Sequence, residues 1–143
     1  MQVSEAIKKL QNEETILVDG KSFEPTSIEA LKLDTGDMMY WVRDGGDIWL
    51  SLDPASDEVI LFNEIEAEMD AAEDTVVHAN EDYEFAYAGE GKLYEDEEEV
   101  DKILFRDFEG RDGAVVRIAQ YTVNGDVITS LGQKVPEDDI QDI

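Results

Sequence analysis

Apolar residues follow a helical period only at the start of the chain. Val3, Ile7 and Leu10 share one face of a short helix predicted over Ser4 to Asn12, with Ser4 available as its N-cap. A helix of that length does not stand alone and has to dock on a neighbour. After it the pattern changes to short runs divided by turn residues. Thr15–Val18, Ser22–Glu24 and Ile28–Leu33 are separated by Asp19-Gly20 and Pro25, the spacing of strands joined by tight turns. Between Asp37 and Glu64, three apolar runs punctuated by Asp44-Gly45-Gly46-Asp47 and by Asp53–Asp57 predict a three-stranded meander. With a symmetric Gly-Gly turn, Trp41 stands opposite Leu50 and Met39 opposite Leu52, and pairing Leu50 with Ile60 sets Ile48 opposite Phe62. One face then carries Met39, Trp41, Ile48, Leu50, Ile60 and Phe62; the other carries Tyr40, Val42, Trp49 and Leu61. In that register the two indoles cannot share a core layer. Trp41 is interior, while Trp49 beside Tyr40 is either covered by the helix or the next segment, or is an exposed binding anchor.

Ile65–Asp82 is acidic and alanine-rich and reads as a loop or a short helical excursion. Strands resume at Glu84–Ala88, turn through Gly89-Glu90-Gly91, and continue past the charge run Glu95–Glu99 into Ile103–Phe108. A last hairpin, Ala114–Val123 with Asp126–Leu131, closes on Asn124-Gly125, a pair suited to the positive φ angles of a type I′ turn. That register sets Tyr121 opposite Ile128 and Ile118 opposite Leu131. Gly46–Leu52 echoes Gly125–Leu131, through reuse of one turn chemistry or duplication of a hairpin. The pattern as a whole predicts a mainly β fold: antiparallel strands in a barrel or a two-layer sandwich, with a short N-terminal helix. Residues 1–12 form the helix and 13–143 the β-rich body of the same domain.

Charge changes this picture more than composition does. The 143 residues hold 37 Asp and Glu against 11 Lys and Arg, a formal net charge of -26. Binding to nucleic-acid phosphates, which is driven by Lys and Arg releasing counterions, is excluded. Between Asp44 and Gly91 there are 15 acids and no Lys or Arg. This stretch reads as a docking surface for a basic protein partner, with Glu66, Glu68, Asp70, Glu73 and Asp74 as its acidic contacts and Tyr40 and Trp49 as aromatic ones. Solubility through net charge and adaptation to a salty cytoplasm are competing readings, although 11 Ile and 7 Lys argue against extreme halophily. No apolar run approaches the roughly 18 residues of a membrane span, and Met1–Leu10 lacks a signal-peptide core, so a cytoplasmic protein without direct membrane insertion is expected.

Candidate chemistry is sparse. There is no Cys, which removes disulfides, thiolate metal sites and a thiol nucleophile. Among so many carboxylates an acidic pair at catalytic spacing discriminates nothing. His78 is the single histidine, has no nucleophile elbow to serve, and reads as an ordinary strand or loop residue. Gly89-Glu90-Gly91-Lys92 fails as a phosphate loop, because Ala86 and Leu93 occupy positions that need a glycine and a hydroxyl. The Asp-rich turns lack the alternating ligands of a calcium loop. No metal, cofactor or catalytic residue is assigned.

The run Met39–Val42 into Gly46–Leu52, then Tyr83-Glu84-Phe85, Phe105–Gly110 and the closing Gly132–Val135 with Ile140, resembles DUF4178, a prokaryotic family of unknown function. The resemblance implies a β-rich accessory domain and no known activity. The expected function is a non-enzymatic binding module whose acidic surface docks a basic protein. The alternatives are a carboxylate-based enzyme in a barrel cavity, marked by a buried cleft holding an Asp or Glu of raised pKa, and a nucleic-acid mimic that blocks a DNA-binding protein.

Overall fold

The computed structural model describes residues 1–143. In chain order the elements are α1 (Val3–Gln11), β1 (Ile16–Val18), β2 (Lys21–Phe23), β3 (Ser27–Leu33), β4 (Met38–Arg43), β5 (Ile48–Asp53) and β6 (Glu58–Ile65). They continue with β7 (Thr75–His78), β8 (Glu81–Glu95), β9 (Glu98–Glu109), β10 (Ala114–Tyr121), β11 (Val127–Lys134), a 3-10 turn (Glu137–Asp139) and β12 (Ile140–Asp142). Strands β3 to β6 form one antiparallel meander and β8 to β11 a second. Pairing of β6 with β11 and of β3 with β8 joins them into a closed antiparallel barrel of eight strands. β7 extends the sheet along the N-terminal part of β8, and β12, β1 and β2 make a small separate sheet.

Three apolar clusters hold this arrangement. The barrel interior is filled by Leu31, Met39, Trp41, Trp49, Ile60, Phe62, Leu93, Ile103 and Phe105. Outside the first meander, Val42, Leu50, Leu52 and Val59 meet Val3, Ala6, Ile7 and Leu10 of α1 and the inward side chains of the small sheet. Outside the second, Phe108, Val116 and Ile118 are covered by Val76 and Tyr83 of the β7–β8 hairpin, with Met69 and Ala71. Strands apolar on both faces are thus explained by a filled barrel with a cover on each flank.

The first meander departs from the expected register by one residue at each turn. The last β4–β5 pair is Arg43 with Trp49, leaving five residues in the loop, where Asp44 Oδ1 accepts the Gly46 N–H at 2.9 Å. Val42 therefore pairs with Leu50 and Trp41 with Ser51, while Leu50 pairs with Leu61 and Trp49 with Phe62. The two slips cancel across β6 and invert β5 alone. Both indoles consequently lie in the interior, with ring centres 5.2 Å apart, and the opposite face is sealed by α1.

Other local expectations change for stated reasons. α1 begins at Val3, because Val3 is buried in the cluster under the helix, so Ser4 is inside the helix and Gln2 occupies the N-cap without a side-chain bond. The Met1 ammonium donates to the Glu137 and Ile140 carbonyls, each at 3.0 Å. Ile65–Asp82 contains no helix; it is a loop followed by β7 and the start of β8. Nor do Gly89 and Gly91 turn the chain. β8 runs through both, since a Cβ on Gly89 would strike the Phe105 ring and one on Gly91 the Lys32 carbonyl of β3. The turn falls instead on Asp96-Glu97, both at positive φ. In the last hairpin only Gly125 takes positive φ, and the Tyr121 N–H donates to the Asp126 carbonyl across a longer loop. Ala119 pairs with Ile128 and Val116 with Leu131, a shift of two that preserves the faces. The echoing segments, β5 and β11, are the third strand of one meander and the fourth of the other, and both pair with β6, so they are not equivalent positions of a repeat.

Candidate functional site

Two features stand out on the barrel: an open mouth at one end, and an acidic loop beside an external groove. The mouth is a cleft of about 360 Å³ with Leu33, Met39, Ile60 and Val115 in its wall, Asp37, Asp53, Glu58 and Glu109 around it, and Tyr87, Asp107, Arg117 and Lys134 within reach. Strand alternation places these groups. Arg117 has the same parity as Val115 and Ala119 in β10, and Asp107 the same parity as Phe105 in β9, so both point inward. The Arg117 Nε and Nη2 donate to Asp107 Oδ1 and Oδ2 at 2.7 and 2.8 Å, and Nη1 donates to Ser51 Oγ at 2.7 Å. The guanidinium stands 4.8 Å from the ring centres of both Phe62 and Phe105 and 5.3 Å from that of Trp41. At 1% exposure, Arg117 is a buried cation matched by a bidentate carboxylate and by aromatic faces. Lys134 is likewise engaged, at 3.5 Å from Glu58 and 3.2 Å from Glu109. Burial raises the Tyr87 phenol above its ordinary value, and Asp53, Asp107 and Asp37 add to that against Arg117.

The other end of the interior carries a second polar group. Arg43 Nη1 donates to Glu64, and its Nε lies 3.9 Å from Glu29. Burial holds the Glu29 carboxyl above its ordinary range, with Arg43 pulling in the opposite direction. Tyr121, beside Arg43, is also raised by burial. This carboxyl is absent from the lining of the mouth, so the cleft and the raised acid that would mark a carboxylate enzyme fall at different places.

The partner-contact residues predicted from sequence divide into two groups. Glu66, Glu68, Asp70, Glu73 and Asp74 are all exposed and all belong to the loop between β6 and β7. Met69 and Ala71 of that loop pack against the outer cluster of the second meander, Arg106 Nη1 donates to the Glu73 carbonyl at 3.4 Å, and the Phe85 N–H donates to the Asp74 carbonyl at 2.7 Å. Beside the loop runs a groove of about 410 Å³ lined by Ala71, Ala88, Leu104, Ile118 and Val127. The aromatic pair is not brought together. Trp49 is 2% exposed, stacks on Phe62 with ring centres 4.6 Å apart and donates through Nε1 to Ser130 Oγ at 3.1 Å. It is a core residue and cannot anchor a partner; the inversion of β5 is the cause. Tyr40 is half-buried on the other face, against the cluster under α1. Sequence reasoning missed Arg117, Asp107 and Tyr87. The available signal was a lone charge inside an apolar run, Val115-Val116-Arg117-Ile118-Ala119, whose parity is that of the inward residues.

These features define a class: a small antiparallel β-barrel with a packed, ion-paired interior and an acidic exterior. The chain belongs to the family described as Domain of unknown function (DUF4178), whose model matches residues 28–137, from the second residue of β3 to the start of the 3-10 turn after β11. No curated protein and no solved structure matches the chain. The matched span contains the barrel strands, except for Ser27 at the start of β3, and the β7 hairpin, while α1 and the small sheet lie outside it. No helix is long and apolar enough to cross a membrane.

Proposed function

We propose that this chain is a non-enzymatic, cytoplasmic binding module that docks a basic protein through the acidic loop between β6 and β7. The observation that carries the reading is the state of the five loop acids. All are exposed, and none takes part in any of the ion pairs of the structure, which engage Lys9, Arg43, Lys92, Arg111, Arg117 and Lys134 with other carboxylates. The loop is pinned by Met69, Ala71 and two backbone acceptors, so its charges are presented without a large ordering cost. Unpaired like charge on a fixed loop favours fast, salt-sensitive association with an oppositely charged surface.

The test is capture on the immobilised chain from extracts of its own cells, run beside a variant with Glu66, Glu68, Asp70, Glu73 and Asp74 all changed to Lys. Basic proteins retained at low salt, released by added salt and lost on the variant are expected. Retention of acidic proteins, or retention that neither salt nor the variant changes, rejects the reading. Release by added DNA instead of by salt would favour the nucleic-acid mimic.

A further inference from the structure

The groove beside the acidic loop is apolar, open and unpartnered. Its floor comes from the outward faces of β8, β9, β10 and β11, with Ala88, Leu104, Ile118 and Val127 contributing carbon surface, and Ala71 of the loop closes one side. Leu104 of β9 is 40% exposed and Val127 of β11 58%, whereas the outward residues Phe108 of β9 and Val116 and Ile118 of β10 are buried with Val76 and Tyr83 of the β7–β8 hairpin. The cover made by that hairpin and the loop therefore stops short of the full apolar face. A contiguous exposed apolar strip with a charged border is what an interaction surface presents.

Charge selects among the possible occupants. Ala71, on one side of the strip, follows Asp70 in the loop that carries the five acids, Glu90 stands in the lining itself and Asp126 is next to Val127; all of these acids are exposed. The one cation in the lining, Arg106, is already placed: its guanidinium lies 4.2 Å from the Phe85 ring centre and donates to the Glu73 carbonyl. A second copy of a chain carrying -26 would bring acid against acid on this face. A cationic and apolar segment suits both parts of the surface at once. We propose that the groove is the seat of a basic amphipathic segment of the docked protein, its apolar side chains lying on Ala88, Leu104 and Val127 and its Lys or Arg residues meeting the acidic loop. This rests on the docking reading above, and it adds an apolar contribution that net charge alone does not supply.

The experiment separates the two contributions. Two labelled synthetic peptides of equal length and equal positive charge are titrated into the full chain: one alternating Lys and Leu in an amphipathic pattern, the other Lys and Gly. Three proteins are compared: the natural chain, the Leu104→Asp/Val127→Asp double variant, and the five-acid Lys variant. Far-ultraviolet dichroism and a thermal melt establish that each is folded. The amphipathic peptide is expected to bind the natural chain about tenfold or more tightly than its partner, the scale of burying an aliphatic side chain or two. The double variant should lose that preference while still binding the Lys-Gly peptide, because it adds negative charge and removes only carbon surface. Amide chemical-shift changes on the natural chain should centre on Ala88, Leu104 and Val127. Equal binding of both peptides to the natural chain, or an amphipathic preference that survives the double variant, overturns the groove. If, in that case, the five-acid Lys variant still abolishes binding, the acidic docking reading stands without it. If the amphipathic peptide binds all three proteins alike, both fail. A preference for the amphipathic peptide that the double variant removes and the five-acid variant leaves intact would keep the groove and reject the acidic loop.

Discussion

Arg117 and Glu29 are charges at opposite ends of one barrel interior, and their surroundings treat them differently. Arg117 has a bidentate carboxylate, a hydroxyl and aromatic faces, so the charged state is the one its site is built for. Removing Asp107 alone would strand a buried cation, a loss of about 3–5 kcal/mol in comparable pairs. Glu29 has only the distant edge of Arg43, which is already committed to Glu64, and its burial outweighs that attraction. A carboxyl raised in the folded state ionises first in the unfolded chain, so its cost to stability is absent below the ordinary value near 4.5 and in full force once pH exceeds the raised value. Glu29→Gln, which keeps the shape and removes the charge, should therefore be more stable than the natural chain in urea unfolding at pH 7, and the advantage should shrink to nothing as pH falls below about 4.5. A variant less stable at pH 7 would mean that the Arg43 attraction outweighs burial.

At the scale of elements, close backbone approach explains what residue types could not. Gly91 looks like a turn glycine in sequence and is a strand glycine in the structure, because β3 passes where its side chain would be. Gly91→Ala has to push a carbonyl of the neighbouring strand aside and is expected to lower stability by about 1–3 kcal/mol. Gly46→Ala meets only the end of the Asp44 side chain at ordinary contact distance and should change stability by less than about 1 kcal/mol, which chemical denaturation of the two variants checks. The mainly β fold, the helix and most strand positions were legible because alternation and turn residues act locally. The register of β5 was not, since a symmetric two-glycine turn and a five-residue loop closed by an Asx bond have the same sequence. The β7 hairpin was hidden by the acids around Val76 and Val77, and the true β8–β9 turn by a charge run that contains no glycine. The acidic loop was legible as a site candidate because charge is read directly from residues. The mouth was not, because it is assembled from all eight strands of the barrel and two of their connecting loops.

For the molecule as a whole, most carboxylates have no cation nearby: the ion pairs use nine of the 37, namely Glu14, Glu29, Glu58, Glu64, Glu81, Glu99, Asp107, Glu109 and Asp142. Folding gathers the remainder on a small surface, and their repulsion reaches about 30 Å at 0.01 M salt but about 8 Å at physiological ionic strength. The melting temperature should accordingly climb as sodium chloride is added across that range. A flat or falling curve would show that local pairing already balances the acids.

The two meanders meet along two ladders of unequal length. β6 and β11 share six residue pairs, whereas β3 and β8 share four, Ala30–Leu33 with Tyr94–Gly91, and the β8 stretch from Phe85 to Gly89 runs on without β3 beside it. Unzipping the shorter ladder breaks the fewest bonds between the halves and lays the barrel out as a sheet with two raw edges, each able to template another strand. In dilute salt two such opened molecules repel each other before their edges can meet. The salt that steadies the closed form also lifts that barrier, so at high ionic strength the seam is the route by which two copies would exchange halves, and the acids serve as a kinetic guard against it.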